Sequence, residues 1–488
     1  MAQQLFFSRD SKIYMHFGNK IWDLPVLDGF SFSQATNSSE ITLAEMEGSA
    51  GVSRRGRRQF NDSLAPAEWS FATYVRPFKA AGTAVARDGS SDAVALTHSV
   101  EEALWAMFLG GKTYAEDHQA FQAAVPASEV VTAIVAGNSY VITSLGDTTQ
   151  SNWNSITGVS TTQAEGFTFI AAAAGTGTGT VEKVVNVPTA LKSTFNADLS
   201  NSATLGTADI YFVLGDANRK VYKLKDCVVN EASLDFDIDG IATINWSGMS
   251  SEIIDMTSKT ITTATNPPAY NAVSGASGAI VAGDVLLESD DGHRLSVVID
   301  PTSSGTATMT TGVYEGTLST TNFIRNRLTQ LTVVPTANTG YIGRLESGGY
   351  NITLTGGNIT MNNNVTFITP EELGIVNTAI GHVTGTRSIS GSMNCYLSKD
   401  TTNTTSSADL WEDLKGITDI VSNSFALNFK IGGVTAGTSR LEVLMPTCHL
   451  EIPTHSIEDV ISVETSFNAL PSTIDETNEA TITYFSKQ

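Results

Sequence analysis

A mainly β fold is predicted for this 488-residue chain: two tandem β-sandwich, barrel-forming domains, each with one flanking α-helix, plus small all-β insertions. Composition is the first reason. Charged residues make up 16% of the chain against about 25% in ordinary domains, and Ser, Thr, Asn and Gly fill the difference. The second reason is period-two alternation in short runs bounded by turn residues, as in Ser70-Phe71-Ala72-Thr73-Tyr74-Val75. The third is repetition. That strand leads to a helix with Leu104-Trp105 ahead of Gly110-Gly111, and Ser392-Met393-Asn394-Cys395-Tyr396-Leu397 leads to one with Leu410-Trp411 ahead of Gly416. A hairpin-like pair follows in each half: Ile210 to Leu224 with Cys227 to Trp246, then Phe425 to Ile431 with Leu441 to Phe467. One order of elements used twice points to a duplicated module. Its two quasi-equivalent surfaces let a ring close with half the usual number of subunits.

Along the chain, residues 12 to 43 read as strands around the Asp28-Gly29 turn. Residues 44 to 66 read as a long loop, punctuated by Gly48, Gly51 and Gly56 and carrying Arg54, Arg55, Arg57 and Arg58. A strand at 68 to 76 and a helix at 99 to 109 follow. Near residue 125 the character changes, through Tyr140, Trp153 and Phe167 to a Gly-Thr run at 175 to 180, with no counterpart in the second half. Residues 125–184 are therefore predicted to form a small all-β insertion projecting from the body, within a first domain spanning 1–124 and 185–256. The Thr-rich stretch ending in Pro267-Pro268 reads as a linker. Residues 257–318 hold this linker and a second insertion with a strand near Leu295 to Ile299. The second domain spans 319–488 and ends on a strand at Thr481 to Phe485.

A formal net charge of -22 excludes a protein that grips nucleic acid through its phosphates. Cys227, Cys395 and Cys448 are too few and odd in number for a disulfide framework, which predicts assembly in a reducing cytoplasm. No apolar run reaches the roughly 20 residues of a membrane helix, and the first ten residues lack signal-peptide features. Asp235-Phe236-Asp237-Ile238-Asp239-Gly240 opens like a calcium loop, yet Trp246 stands where the closing Glu belongs. Gly110-Gly111-Lys112-Thr113 imitates the end of a phosphate loop, but Ala106 replaces its first glycine and the segment follows a helix. His449 and His455 lie roughly 20 Å apart along an extended strand, too far to share one metal. No nucleophile elbow, Cys-x-x-Cys pair or zinc-protease helix occurs. No enzyme activity, cofactor or metal is expected. At a period of two, Asp235, Asp237 and Asp239 share one strand face and Leu234, Phe236 and Ile238 the other.

The stretch Arg58-Gln59-Phe60-Asn61-Asp62-Ser63-Leu64-Ala65-Pro66-Ala67-Glu68-Trp69-Ser70-Phe71-Ala72-Thr73-Tyr74 resembles the corresponding region of a known family. So do Thr355-Gly356-Gly357-Asn358-Ile359-Thr360-Met361-Asn362-Asn363-Asn364-Val365-Thr366-Phe367-Ile368-Thr369-Pro370 and the segment from Ile452-Pro453-Thr454 to Ala469-Leu470-Pro471-Ser472. The family is the double-length major tail tube proteins of siphophages, the long non-contractile tailed bacteriophages of the T-five type. Both halves take part, over about 1 to 120, 190 to 255 and 320 to 475. The resemblance departs at 125–184 and 270 to 318, and the terminal immunoglobulin-like domain of some relatives has no counterpart. It implies two tail-tube folds per chain, a homotrimeric pseudo-hexameric ring, and stacked rings forming a conduit for DNA that passes without specific binding. Tail tip or baseplate, tail terminator and tape measure proteins are the implied partners, and a virion tail assembled in the host cytoplasm the implied location.

In a tube, Arg54, Arg55, Arg57 and Arg58 would meet carboxylates of the neighbouring ring. Asp235, Asp237 and Asp239 would form an acidic lumen stripe along which DNA slides. Each also has a plain reading, a solvated loop and a solvated outer face. Competing functions are a capsid decoration or baseplate hub ring protein and, in a different class, a glycan-binding or glycan-cleaving host-surface protein.

Overall fold

The computed structural model of the chain describes residues 5–18, 20–43, 56–79, 97–108, 129–136, 139–158, 162–165, 167–183, 205–215, 219–257, 260–263, 281–288, 295–301, 307–313, 323–335, 349–370, 377–399, 406–416, 425–433, 439–457, 460–471 and 479–485. Strands dominate, as the sequence predicts. The first half contains β1 (Lys12–Phe17), β2 (Lys20–Leu24), β3 (Ser31–Ser33), β4 (Thr36–Leu43), β5 (Gly56–Leu64), β6 (Ala67–Tyr74) and α1 (Glu102–Phe108). After an insertion with helix α2 (Gln150–Thr157) it continues with β7 (Ala208–Leu214), β8 (Lys220–Asp237), β9 (Thr243–Ser250) and β10 (Glu252–Asp255). The second half contains β11 (Gln330–Pro335), β12 (Leu354–Asn362), β13 (Val365–Ile368), β14 (Gly381–Thr384), β15 (Ser388–Tyr396) and α3 (Ser407–Gly416). It ends with β16 (Phe425–Ile431), β17 (Arg440–Leu450), β18 (Thr454–Ser456), β19 (Ser462–Ala469) and β20 (Thr481–Phe485).

Pairing repeats between the halves. In the first, β3 pairs with β6, β6 with β9 and β9 with β8. In the second, β12 pairs with β15, β15 with β19, and β19 with β17 and β18. The long strand of each half crosses between two sheets. Residues 220–227 of β8 pair with β7, 222–225 also with β10, and Val228 to Asp235 pair with β9. In the same way β17 pairs first with β16 and β20, then with β19. At the crossing in β8, Asp226 takes a left-handed φ of 52°, the registers shift, and the buried Cys227 thiol donates to the Leu224 carbonyl. Cys448 does the same to Met445 in β17. A bulge bends the strand and lets one segment serve both layers. The sequence reading places a strand break here, between Leu224 and Cys227, because a bulge carries no breaker residue that pattern alone identifies.

The apolar face of the shared sheet is matched in volume across the halves. Trp69 pairs directly with Gly248, where a Cβ would lie 2.4 Å from the indole. In the second half Gly391 pairs with Phe467, and a Cβ on Gly391 would lie 2.6 Å from that ring. The large and small partners have changed strands, which keeps the pair's volume and preserves close packing. Residues Ala103 to Phe108 of α1 are buried on every side, while α3 buries Leu410 and Leu414 and exposes Glu412. At the start of α3 the Ser406 backbone N–H and hydroxyl both donate to Asp409 Oδ2, which ties the residue before the helix to its first turn. The two halves also meet through a buried chain: Trp105 Nε1 donates to Tyr484 Oη at 2.7 Å, and Tyr484 donates to Glu101 Oε1 at 2.6 Å.

Two expectations need correction. The 125–184 insertion is not all β: α2 is capped by Thr149 and ended by Gly158 at φ 71°, and it packs Trp153 and Ile156 on a four-stranded sheet. The insertion touches the body where Lys430 Nζ of β16 lies 5.0 Å from the centre of the Phe167 ring. The region expected to be a pure linker contains the strand Thr260–Thr263, which pairs with Val285–Glu288. The second insertion packs Leu287, Leu295 and Val297 against Tyr14, Tyr211 and Val221 of the first half.

Candidate functional site

The two halves share a seam. Residues Glu231 to Asp237 of β8 pair antiparallel with Asn362 to Gly356 of β12, so β3-β6-β9-β8 and β12-β15-β19-β17 are joined edge to edge in one sheet. On the core side Leu234 faces Ile359, and Phe236 faces Gly357, where a Cβ would lie 2.9 Å from the phenyl ring. Glycine is therefore required at 357 by close approach, not by backbone angle.

The opposite face is mainly polar, with Ala72 and Met249 as apolar exceptions. Its acidic positions are Glu68 on β6, Glu231, Asp235 and Asp237 on β8, and Glu464 on β19, among Ser, Thr and Asn. None of the outward positions of β6, β9, β12, β15, β19 and the 231–237 segment of β8 is Lys, Arg or His. Side chains lace across the strands: Ser31 to Ser70 at 2.8 Å, Ser233 to Thr360 at 3.3 Å, Asn245 donating to Asp235 at 3.0 Å, and Asn362 donating to Glu231 at 3.1 Å. Each of these contacts is a cross-strand pair of the kind that stabilises a sheet by roughly 0.2–1 kcal/mol. They also hold the carboxylates in fixed positions. A shallow hollow over the seam is lined by Asp235, Asp237, Asn358 and Asn394.

Asp235 and Asp237 occupy this face at the seam, exposed, with Leu234 and Phe236 buried behind them. Asp239 lies beyond the end of β8, and Ile238, expected inward, is 40% exposed, so the alternation stops at Asp237. Asp239 instead lies 3.9 Å from Arg327. Among the described residues no cluster of His, Cys, Asp and Glu forms a metal site. None of their helices is long and apolar enough to cross a membrane.

The arginine cluster is placed differently from the sequence reading. Arg57 and Arg58 lie on strand β5, paired with Thr42 and Ile41 of β4, and not on a loop; Arg54 and Arg55 lie outside the described residues. Strand β5, Gly56-Arg57-Arg58-Gln59-Phe60-Asn61-Asp62-Ser63-Leu64, has no alternation of apolar and polar residues, which is why periodicity fails to reveal it. Asn37 donates to Ser63, Ser39 bonds Asp62, and Arg57 lies 3.5 Å from Glu40. The second half has a similar hairpin, β13 with β14, and Asn377 ahead of β14 exchanges backbone hydrogen bonds with Asp62 and Leu64 of β5.

A mainly β chain whose halves share one sheet, largely polar on one face, with β3 and β18 each paired on one side among the described residues, has the build of a structural subunit. No family model matches the chain. Among curated proteins the chain is similar to tail tube protein pb6 of Escherichia phage T5, with 23% identity over 467 residues that span 95% of this chain and 71% of that protein. The resemblance read in the sequence, to the double-length tail tube proteins of siphophages, agrees with that relative, whose coverage runs through both halves.

Proposed function

We propose that the protein is a non-enzymatic structural subunit of a bacteriophage tail tube. Three chains close a ring in which each chain contributes two tail-tube domains, and stacked rings form a hollow conduit for DNA. The observation that carries the reading is the β8–β12 seam. It joins two similar four-strand units in one sheet, and repeating that junction between chains closes the sheet and leaves no exposed edge. The polar face then lines the lumen, where carboxylates without compensating cations repel a DNA backbone and prevent it from sticking. The likeness to the T5 tail tube protein supports the same role, with tail tip, terminator and tape measure proteins as partners and cytoplasmic assembly before incorporation into the virion.

In this reading residues 1–124 with 185–256, and 319–488, are the two domains, and both insertions lie on the outer wall. The β4–β5 hairpin with Arg54, Arg55, Arg57 and Arg58 reaches the adjacent ring. Negative-stain microscopy of the concentrated, purified protein tests the proposal. Hollow tubes or three-fold rings are expected, and monomers persisting even with a tail-tip seed would refute it.

A further inference from the structure

The internal seam has an unoccupied twin. On the far edge of the second half, β18 lies where the outer part of β8 lies: Thr454 pairs with Glu464 of β19 as Ser233 pairs with Asn245 of β9. On the far edge of the first half, β3 lies where β12 lies: Ser31 pairs with Ser70 of β6 as Asn358 pairs with Ser392 of β15. Among the described residues, β18 pairs only with β19, and β3 only with β6. The loss of cover is visible at equivalent positions. Phe236 is 4% exposed in the seam, whereas Ile457 at its twin is 81% exposed.

We propose that the edge 452–457 of one chain pairs antiparallel with the edge 30–35 of a second copy, in the register that the β8–β12 seam dictates. This deepens the ring reading and rests on it. Transferring the register sets Thr454 opposite Ser33, His455 opposite Phe32, Ser456 opposite Ser31 and Ile457 opposite Phe30 of the second copy. The chemistry fits position by position. Thr454 and Ser33 restore the hydroxyl pair that Ser233 and Thr360 make on the polar face. Ile457 with Phe30 replaces Phe236 with Gly357 on the core face, so the outer seam buries two apolar side chains where the inner seam buries one. His455 is held by the Trp411 ring, edge-on at 5.1 Å. No pair opposes like charges, and a slip of one residue would set Ser456 against Phe32 or Phe30 and separate Ile457 from Phe30. Pro453 supplies no N–H to this ladder, which makes the seam between chains weaker than the seam within a chain.

The experiment is a cysteine pair in one chain, Thr454→Cys with Ser33→Cys, against the slipped control Thr454→Cys with Gln34→Cys. The three native cysteines are buried and stay out of the reaction. After mild oxidation of assembled material, non-reducing gels should show covalent oligomers for the first pair only. Tubes that form but cross-link in the control, or in neither variant, would overturn the register and leave the tube reading standing. A wild-type protein that never assembles overturns both. Should the variants fail to fold, hydrogen exchange on wild-type protein decides. Amides of 452–457 and 30–35 should exchange about tenfold or more slowly in tubes than in free subunits, and equal rates would refute the pairing.

Discussion

Replacing Tyr484 with Phe removes one oxygen that joins the two halves of the chain. That hydroxyl accepts from Trp105 Nε1 at 2.7 Å and donates to Glu101 Oε1 at 2.6 Å. Trp105 and Glu101 are fully buried, so water cannot take its place. A buried donor or acceptor left without its partner costs about 1–3 kcal/mol, and more where the acceptor is charged. The expected destabilisation of Tyr484→Phe is about 3 kcal/mol, measured on unassembled subunits by urea unfolding with tryptophan fluorescence, to which Trp105 contributes. Alkaline pH gives a second readout. Burial, then the nearby Glu101 carboxylate, pushes the Tyr484 phenol well above its ordinary value. Its contribution is fully present below the unfolded value of about 10 and is lost as pH rises beyond it. The wild type should therefore lose stability above that pH more steeply than Tyr484→Phe. A change under about 0.5 kcal/mol, within the range of an ordinary surface substitution, would show that the network does not couple the halves.

Acid should weaken the subunit through His382, whose Nε2 accepts from the Leu205 N–H at 2.8 Å and whose pKa burial lowers. Its contribution is present above the unfolded value of about 6.5 and fades as pH falls below it; His382→Gln should flatten the melting temperature between pH 7 and pH 5, and an unchanged slope would refute the assignment. Changing Arg54, Arg55, Arg57 and Arg58 together to Glu should leave rings intact but stop elongation. Raised salt should act in the same direction on wild type, as light scattering would report. Tubes of normal length from the quadruple variant would return the hairpin to a solvated role. Replacing residues 127–183 with a short Gly-Ser linker should preserve tubes, while loss of Phe167 over Lys430 lowers subunit stability by about 1–2 kcal/mol. An insoluble product would make the insertion part of the core.

Much of this architecture was legible residue by residue. Leu104-Trp105 and Leu410-Trp411 fixed the two helices, because an apolar pair ahead of glycine is local information. The alternation of Trp69, Phe71 and Thr73 against Glu68, Ser70 and Ala72 fixed β6. Residues 36 to 43 were legible as strand, but their partner β5 was hidden because Gly56-Arg57-Arg58-Gln59 carries no apolar alternation and is held by the backbone ladder and polar side-chain pairs. Helix α2 was missed although Thr149 and Gly158 are its cap signals; Gln150-Ser151-Asn152 is weakly helical, and the helix depends on burying Trp153 and Ile156. Asp235 and Asp237 were read onto one face correctly, but their position at a seam required knowing that β8 meets a strand more than a hundred residues away. No periodicity encodes such a pairing. Cys227 and Cys448 were visible as a pair only after both proved to sit at the same bulge.

The most direct test of the central claim is the symmetry of the assembled tube, obtained by helical reconstruction from electron micrographs. Three chains per ring are predicted, arranged as six similar wall elements, with Glu68, Glu231, Asp235, Asp237 and Glu464 facing the lumen. A ring of six chains, or a wall with this face turned outward, would contradict it.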